Sequence, residues 1–393
     1  MQHTEARQSI VLLQLKNIDI KENKMKQMTD VYFNVKDFGA VGDGVQDDTQ
    51  ALQKCFDTAQ QHGGTAFLPC GRYLVTETLL FGKNENGDRP FSIVGEGRGN
   101  SRSIIVKFTD GDIAQTATCG KLEISQLGFA HKGSSGRCLY LDREMGYGVY
   151  DCSFSNVAGN KSDILCFNGS YTDIVNSSFG NSEPDAYAIR CTTVGKKLNI
   201  NSNIFECRIH GKGKGLIVDS APNNRPEGLK VSRNMFLNTG KEQITVRTIL
   251  HIDISNNMLD QCSDTTLLID PEGMGVCGAY ILGNYISPAQ NRKNGVAIKV
   301  VENDVFVLTI NVSNNMIAYT GYGLIAGKNT RQILVANNAF NDVAKDGICL
   351  TDSRGSIVNA NTFWMVEGEA CVNSYSLGAL DTPVIENNTN CRI

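Results

Sequence analysis

The stretch Ser255-Asn256-Asn257-Met258-Leu259 decides the fold, because near copies of it return along most of the chain. They read SRNMF at 232–236, LGNYI at 282–286, SNNMI at 313–317, ANNAF at 336–340, NANTF at 359–363 and IENNT at 385–389, with NSNIF at 201–205 as an earlier member. The asparagines Asn203, Asn234, Asn257, Asn284, Asn315, Asn338, Asn361 and Asn388 are 23 to 31 residues apart. CSF at 152–154 and SSF at 177–179 read as still earlier copies in which the asparagine has drifted. Self-similarity at such a period signals stacked coils. Asparagine tolerates the left-handed backbone of a sharp bend, and its amide both donates to and accepts from an identical neighbour one layer away. A column of such amides predicts an all-β fold, a parallel β-helix.

Length and composition agree with a solenoid. The 393 residues exceed one ordinary core, but each coil needs to bury its apolar face only against its neighbours. Glycine at 39 and proline at 8 suit many tight turns between short strands. The net charge of −4 and the lack of a long basic run make nucleic acid an unexpected partner. Thirteen cysteines without CxxC pairs argue against a zinc site or a disulfide framework and read as buried thiols. No metal or cofactor is expected. The apolar run Ile10–Leu13 is too short for a signal peptide or a membrane span. The expectation is therefore synthesis in a reducing cytoplasm, with release on lysis or incorporation into a virion open.

Residues 1–30 stand outside the repeat and read as an arm; residues 31–393 read as one β-helix domain, with its capping helix and first coils at 31–100. Asp47 or Asp48 is positioned as the N-cap of a helix through about His62. Ala51, Leu52, Cys55, Phe56 and Ala59 share one face of it, and Gly63-Gly64 ends it. Such a helix would cover the apolar end of the solenoid.

The segments DFGAVGDGVQDDTQALQ (37–53), GGTAFLPCGRYLV (63–75) and IVGEGRG (93–99) closely resemble the opening of the pectate-lyase-like superfamily. The resemblance implies a right-handed parallel β-helix of about 11–12 coils with a carbohydrate-directed surface, as in polygalacturonase-like hydrolases, alginate epimerase modules and bacteriophage tailspikes. It names no single reaction. The NTD, paired-aspartate and GHG motifs of the hydrolases are missing in order. His210-Gly211 is a fragment at best, and Asp270-Pro271-Glu272 matches only the first two residues of the epimerases' DPH motif.

Between the asparagine phrases runs a second five-residue unit, including CLYLD (138–142), ILCFN (164–168), AYAIR (186–190), GLIVD (215–219), QITVR (243–247), TLLID (266–270), VAIK (296–299) and GLIAG (323–327). Its second and fourth places are apolar, so its third and fifth point outward. Read this way, Asp142, Asn168, Arg190, Asp219, Arg247, Asp270 and Lys299 line one outer row, alternating acid and base from Arg190 to Lys299. The row is either a ladder of surface ion pairs or a polar groove for a long glycan.

Asp219 and Asp270 lie two coils apart, roughly 9.6 Å, near the separation of an inverting glycosidase pair at about 6.5–9.5 Å. Arg247 between them favours the charged form of both, which suits a base and handicaps an acid. In a lyase, Arg190, Arg247 or Lys299 would take the proton next to a uronate carboxylate. Arg190, Lys299, Asp142 and Asn168 are the expected sugar-binding residues. The third places Ala188, Ile217, Thr245, Leu268, Ala297, Ile325, Cys349 and Cys371 predict an apolar outer column, covered by loops or by subunits around a threefold axis, unless the register is slipped. The leading expectation is a tailspike-like protein that binds and depolymerises a bacterial surface polysaccharide. A monomeric lyase or hydrolase and a non-catalytic glycan-binding β-helix are the alternatives.

Overall fold

In a computed structural model the described residues are 31–82, 89–98, 102–117, 120–142, 146–194, 199–374 and 383–391; the arm expected at 1–30 lies outside them. Short strands follow one another and sort into three parallel sheets. The first has 14 strands, from Tyr32–Asn34 to Val384–Glu386, and the second has 14, from Asp43–Asp47 to Thr389–Cys391. The third has 12, from Leu79–Phe81 to Cys371–Ser374. Each strand pairs with its counterpart in the next coil, which makes the chain a parallel β-solenoid of about 12 turns.

The core is a set of columns rather than a globule. In the first sheet Ile124, Val149, Ile174, Ile204, Val231, Ile254, Ile281, Val312, Val335 and Val358 stack in register and are buried. β-Branched side chains fill such a pleated wall well. The second sheet stacks phenylalanines instead. Ring centroids are 5.2 Å apart for Phe129–Phe154, 4.9 Å for Phe154–Phe179 and 4.8 Å for Phe340–Phe363, close to the strand spacing itself.

The asparagine ladder runs from Asn234 to Asn388 through Asn257, Asn284, Asn315, Asn338 and Asn361. At each step the backbone N–H and the Nδ2 of one asparagine donate to the Oδ1 of the next, at 2.9–3.1 Å from Asn234 to Asn284. The same Nδ2 also reaches a first-sheet carbonyl one coil back, as Asn257 does to Val231 at 2.9 Å. Two expectations change. Asn203 is not a rung: it pairs with Lys230 on the first sheet, and Cys207 holds the ladder place by donating its N–H to Asn234 Oδ1 at 2.9 Å. Cys152 and Ser177 occupy that place before it. The left-handed bend falls on the residue before each rung, as at Arg233 (φ 57°), Asn256 (φ 55°), Asn314 (φ 59°) and Ala360 (φ 55°).

The helix Thr49–His62 forms as expected and ends on Gly63 in the left-handed conformation. Leu52, Cys55, Phe56 and Ala59 are buried in the same core as the first coils, and Phe56 meets Phe81 edge-on at 5.6 Å. This packing is compatible with a capping role. The N-cap expectation needs correction: Asp48 stands at the N-cap position but makes no side-chain capping bond. Its carboxylate instead accepts from the N–H groups of Val41 (2.6 Å) and Gly42 (2.9 Å), which fixes the glycine-rich turn. Asp47 takes the N–H of Thr49 at 3.0 Å.

The described cysteines are free thiols and most are buried. Burial pushes the thiols of Cys138, Cys152, Cys166 and Cys207 up to about 12, which keeps them protonated and inert.

Candidate functional site

The row expected on the third sheet is only partly assembled. Ile189 pairs with Leu165 and Leu216, so Arg190 sits beside Cys166 and Ile217, in the third place. Lys299 likewise pairs with Leu268 and Ile325. Both units were aligned two residues out of step, a shift that preserves the in-out parity and leaves the apolar pattern unchanged. The fifth place therefore carries Asp219, Arg247 and Asp270 in successive coils, without Arg190 or Lys299. Ala188 and Ala297 leave the outer column and are wholly buried in the core cluster. Ile217 and Thr245 do occupy the outer column, yet both are buried, and the Tyr187 hydroxyl reaches across to Thr245 Oγ1 at 3.5 Å.

Several charges of this face are paired with one another. Arg190 bridges Asp163 and Asp219; burial opposes its charge, but the two carboxylates outweigh this and raise its pKa. Arg247 lies 3.3 Å from Glu272 and 4.0 Å from Asp270. Asn168 is buried, donates to Asp142 Oδ1 at 2.8 Å and accepts the N–H of Val194 at 3.1 Å. Asp142 and Asn168 thus close a turn. Lys299 has no ion pair among the described residues.

A concave site lies elsewhere, on the outer face of the first sheet. Asn203, Lys230, Asp253 and Tyr280 are direct register partners in four successive coils. With Asn201, Gly228 and His251 they line a groove of about 420 Å³. Alternation explains the placement: Leu229, Ile252 and Ile254 point into the core, so Lys230, His251 and Asp253 point out. Asn203 Nδ2 donates to Asp173 Oδ1 at 2.7 Å, which extends the polar row by one coil. Asp253 Oδ1 is buried without a hydrogen-bond partner, an acceptor that a bound hydroxyl would satisfy. Gly278 (φ 74°) makes room for the imidazole, since a Cβ there would lie 2.7 Å from His251 Cδ2. The groove thus gathers acid-base groups (His251, Tyr280, Asp253) beside groups that hold an anion (Lys230, Asn203). It holds one carboxylate, Asp253. Among the described residues no three or more His, Cys, Asp or Glu side chains cluster as metal ligands do.

Sequence reasoning missed this row, although a signal was present. Its members stand four residues before each ladder place: Asp173 before Ser177, Asn203 before Cys207, Lys230 before Asn234, Asp253 before Asn257 and Tyr280 before Asn284. Asn203 drew attention as an asparagine and was counted in the wrong column.

Comparison with known proteins supplies the wider context. Residues 32–119 match the sequence model of the family described as rhamnogalacturonase A/epimerase, pectate lyase-like. Over 86 residues the chain is 43% identical to mannuronan C5-epimerase AlgE3 of Azotobacter vinelandii, a match covering 20% of this chain and 4% of that protein. The chain thus spans only a small part of the curated relatives it matches. The crystal structure of PfbA, a surface adhesin of Streptococcus pneumoniae, superposes with a TM-score of 0.58 at 16% identity, over 86% of this chain and 93% of that one. Tailspike protein 3 of bacteriophage CBA120 superposes with a TM-score of 0.51 at 12% identity, over 92% and 62% respectively. These structural likenesses show the parallel β-helix fold.

Proposed function

We propose that the chain is a polysaccharide-active β-helix that binds a carboxylated bacterial glycan along its first sheet and removes the proton next to the sugar carboxylate. The observation that carries this reading is the groove formed by Asn203, Lys230, His251, Asp253 and Tyr280. Lys230 and Asn203 would hold the carboxylate and neutralise the enolate-like charge that develops when the proton leaves. His251 and Tyr280 are the base and acid, and Asp253 accepts a sugar hydroxyl. The N-terminal match to an epimerase and the fold shared with a tailspike support a polysaccharide target. Elimination or epimerisation would follow from the same first step. Elimination cleaves the chain, in keeping with a depolymerase.

A second reading is supported by one observation: Asp219, Arg247 and Asp270 do occupy successive coils. Hydrolysis needs two carboxyl groups, one of them protonated, whereas Asp219 is ion-paired with Arg190 and Asp270 lies beside Arg247. The groove is the better-equipped site for chemistry. The test is turnover of alginate, pectate and uronate-bearing capsular polysaccharides in deuterated water. Deuterium entering the sugar, or unsaturated ends, supports proton abstraction. Loss of that signal in His251→Ala and Lys230→Ala, with Asp219→Asn and Asp270→Asn unaffected, assigns it to the groove. New reducing ends without either signal, lost in Asp219→Asn, would assign hydrolysis to the third sheet.

A further inference from the structure

The second sheet carries an aromatic site well apart from the groove. Ala318, Asn341 and Trp364 are register partners in three successive coils, and the alternating neighbours Phe340 and Phe363 point into the core. Trp364 is the only tryptophan in the chain and is 43% exposed on the strand Thr362–Val366. Tyr319 and Met365 beside this row take positive φ angles of 50° and 54° and are 44% and 48% exposed. Next to Trp364, Asn341 Oδ1 is buried without a hydrogen-bond partner. The rim is charged and fixed: Arg292 Nε donates to both oxygens of Asp342 at 3.0 Å, and its Nη2 reaches Glu367 at 3.3 Å.

An exposed indole on a sheet strand, an unpaired amide oxygen and a carboxylate-guanidinium rim suit one chemical class. A pyranose ring offers a C–H face to an aromatic surface and hydroxyl groups to acceptors around its edge. A protein partner would need an interface of about 800 Å² on each side, whereas the ion-paired Arg292, Asp342 and Glu367 border this patch. We infer that Trp364, Asn341 and the Arg292–Asp342–Glu367 rim form a binding subsite for a pyranose unit, separate from the first-sheet groove. The inference rests on the reading of the chain as glycan-directed, but not on the groove being catalytic. A second contact on another face would hold a long polysaccharide while the groove acts on it, which raises the effective concentration of substrate.

The lone tryptophan makes the test direct. The full chain is titrated with gluco-, manno- and galacto-tetrasaccharides and with an oligouronate, following tryptophan emission. The expected result is a saturable shift with at least one of them, retained in His251→Ala. Affinity by calorimetry should fall about tenfold in both Trp364→Ala and Asn341→Ala. Far-ultraviolet circular dichroism should show both variants folded. Three results overturn the inference: emission that no sugar moves, affinity unchanged in Trp364→Ala, or dissociation of an oligomer by that substitution, which would make the patch a subunit contact. A failed turnover assay with the emission shift intact would refute the groove alone.

Discussion

Replacing Asn284 by leucine tests whether the ladder holds the coils together. Asn284 Oδ1 accepts the N–H of Asn257 at 2.9 Å and its Nδ2 at 3.0 Å, while Asn284 Nδ2 donates to Ile254 O at 2.8 Å and to Asn315 Oδ1 at 3.0 Å. Leucine would leave two buried donors unpaired, the Asn257 N–H and one Asn257 amide hydrogen, and would take one bond from the Ile254 carbonyl. Asn315 Oδ1 keeps the Asn284 backbone N–H at 2.9 Å. At about 1–3 kcal/mol each the loss is about 2–6 kcal/mol, with a midpoint of about 4 kcal/mol. Burying leucine offsets up to about 2 kcal/mol of that midpoint, for a net cost of about 2–4 kcal/mol. Asn203→Leu is the control, because Asn203 is half-buried, outside the ladder and makes one side-chain bond, to Asp173. It should cost under about 1 kcal/mol. Urea midpoints by far-ultraviolet circular dichroism compare the two, since repeat proteins need not unfold in one step. Equal midpoints for the two variants would refute the ladder argument.

Other consequences follow from single contacts. Phe154 is stacked on both sides, so Phe154→Ala should cost about 3–5 kcal/mol, read as a lowered thermal midpoint. His131 is wholly buried; Nε2 donates to Gly111 O at 2.8 Å, and Nδ1 accepts from the Gly133 N–H and Asn160 Nδ2, both at 3.1 Å. A proton on Nδ1 would face two donors, and burial lowers the pKa below 6.5. The unfolded chain therefore binds a proton that the folded chain refuses. Stability is full above about pH 6.5 and falls as pH drops below it; His131→Asn should flatten that slope in urea midpoints taken across this range. Gly278→Ala should displace the His251 ring and lower turnover at least tenfold, while the left-handed backbone adds about 1–2 kcal/mol of destabilisation. Unchanged kcat in that variant would remove His251 from the chemistry.

The solenoid was legible because a repeat averages over many copies: one drifted phrase such as Cys207-Arg208-Ile209 does not hide the other rungs. The amphipathic helix was legible from its face and its terminal glycines. The site was harder to read, since apolar alternation defines which way a residue points but not which residue lies beside it in the next coil. Tyr187–Cys191 and Val296–Val300 each admit a two-residue shift with the same parity. Arg190 and Lys299 were misplaced for that reason, while Asp219, Arg247 and Asp270, flanked by regular units, were placed in successive coils. The groove escaped because its residues differ from coil to coil. A repeat reveals what is common, and a site is made of what is not. The cap showed the same ambiguity at shorter range. Asp47 and Asp48 both suit a helix start, and only the nearby turn shows that Asp48 serves Val41 and Gly42.

The most direct test of the account is deuterium uptake from solvent into a uronate-bearing polysaccharide, or unsaturated ends on it, followed by NMR with wild type and with His251→Ala, Lys230→Ala and Asp219→Asn. The account predicts a signal with wild type and Asp219→Asn that disappears in the two groove variants. Cleavage that leaves neither deuterium nor unsaturation, and that survives both groove variants, would contradict it.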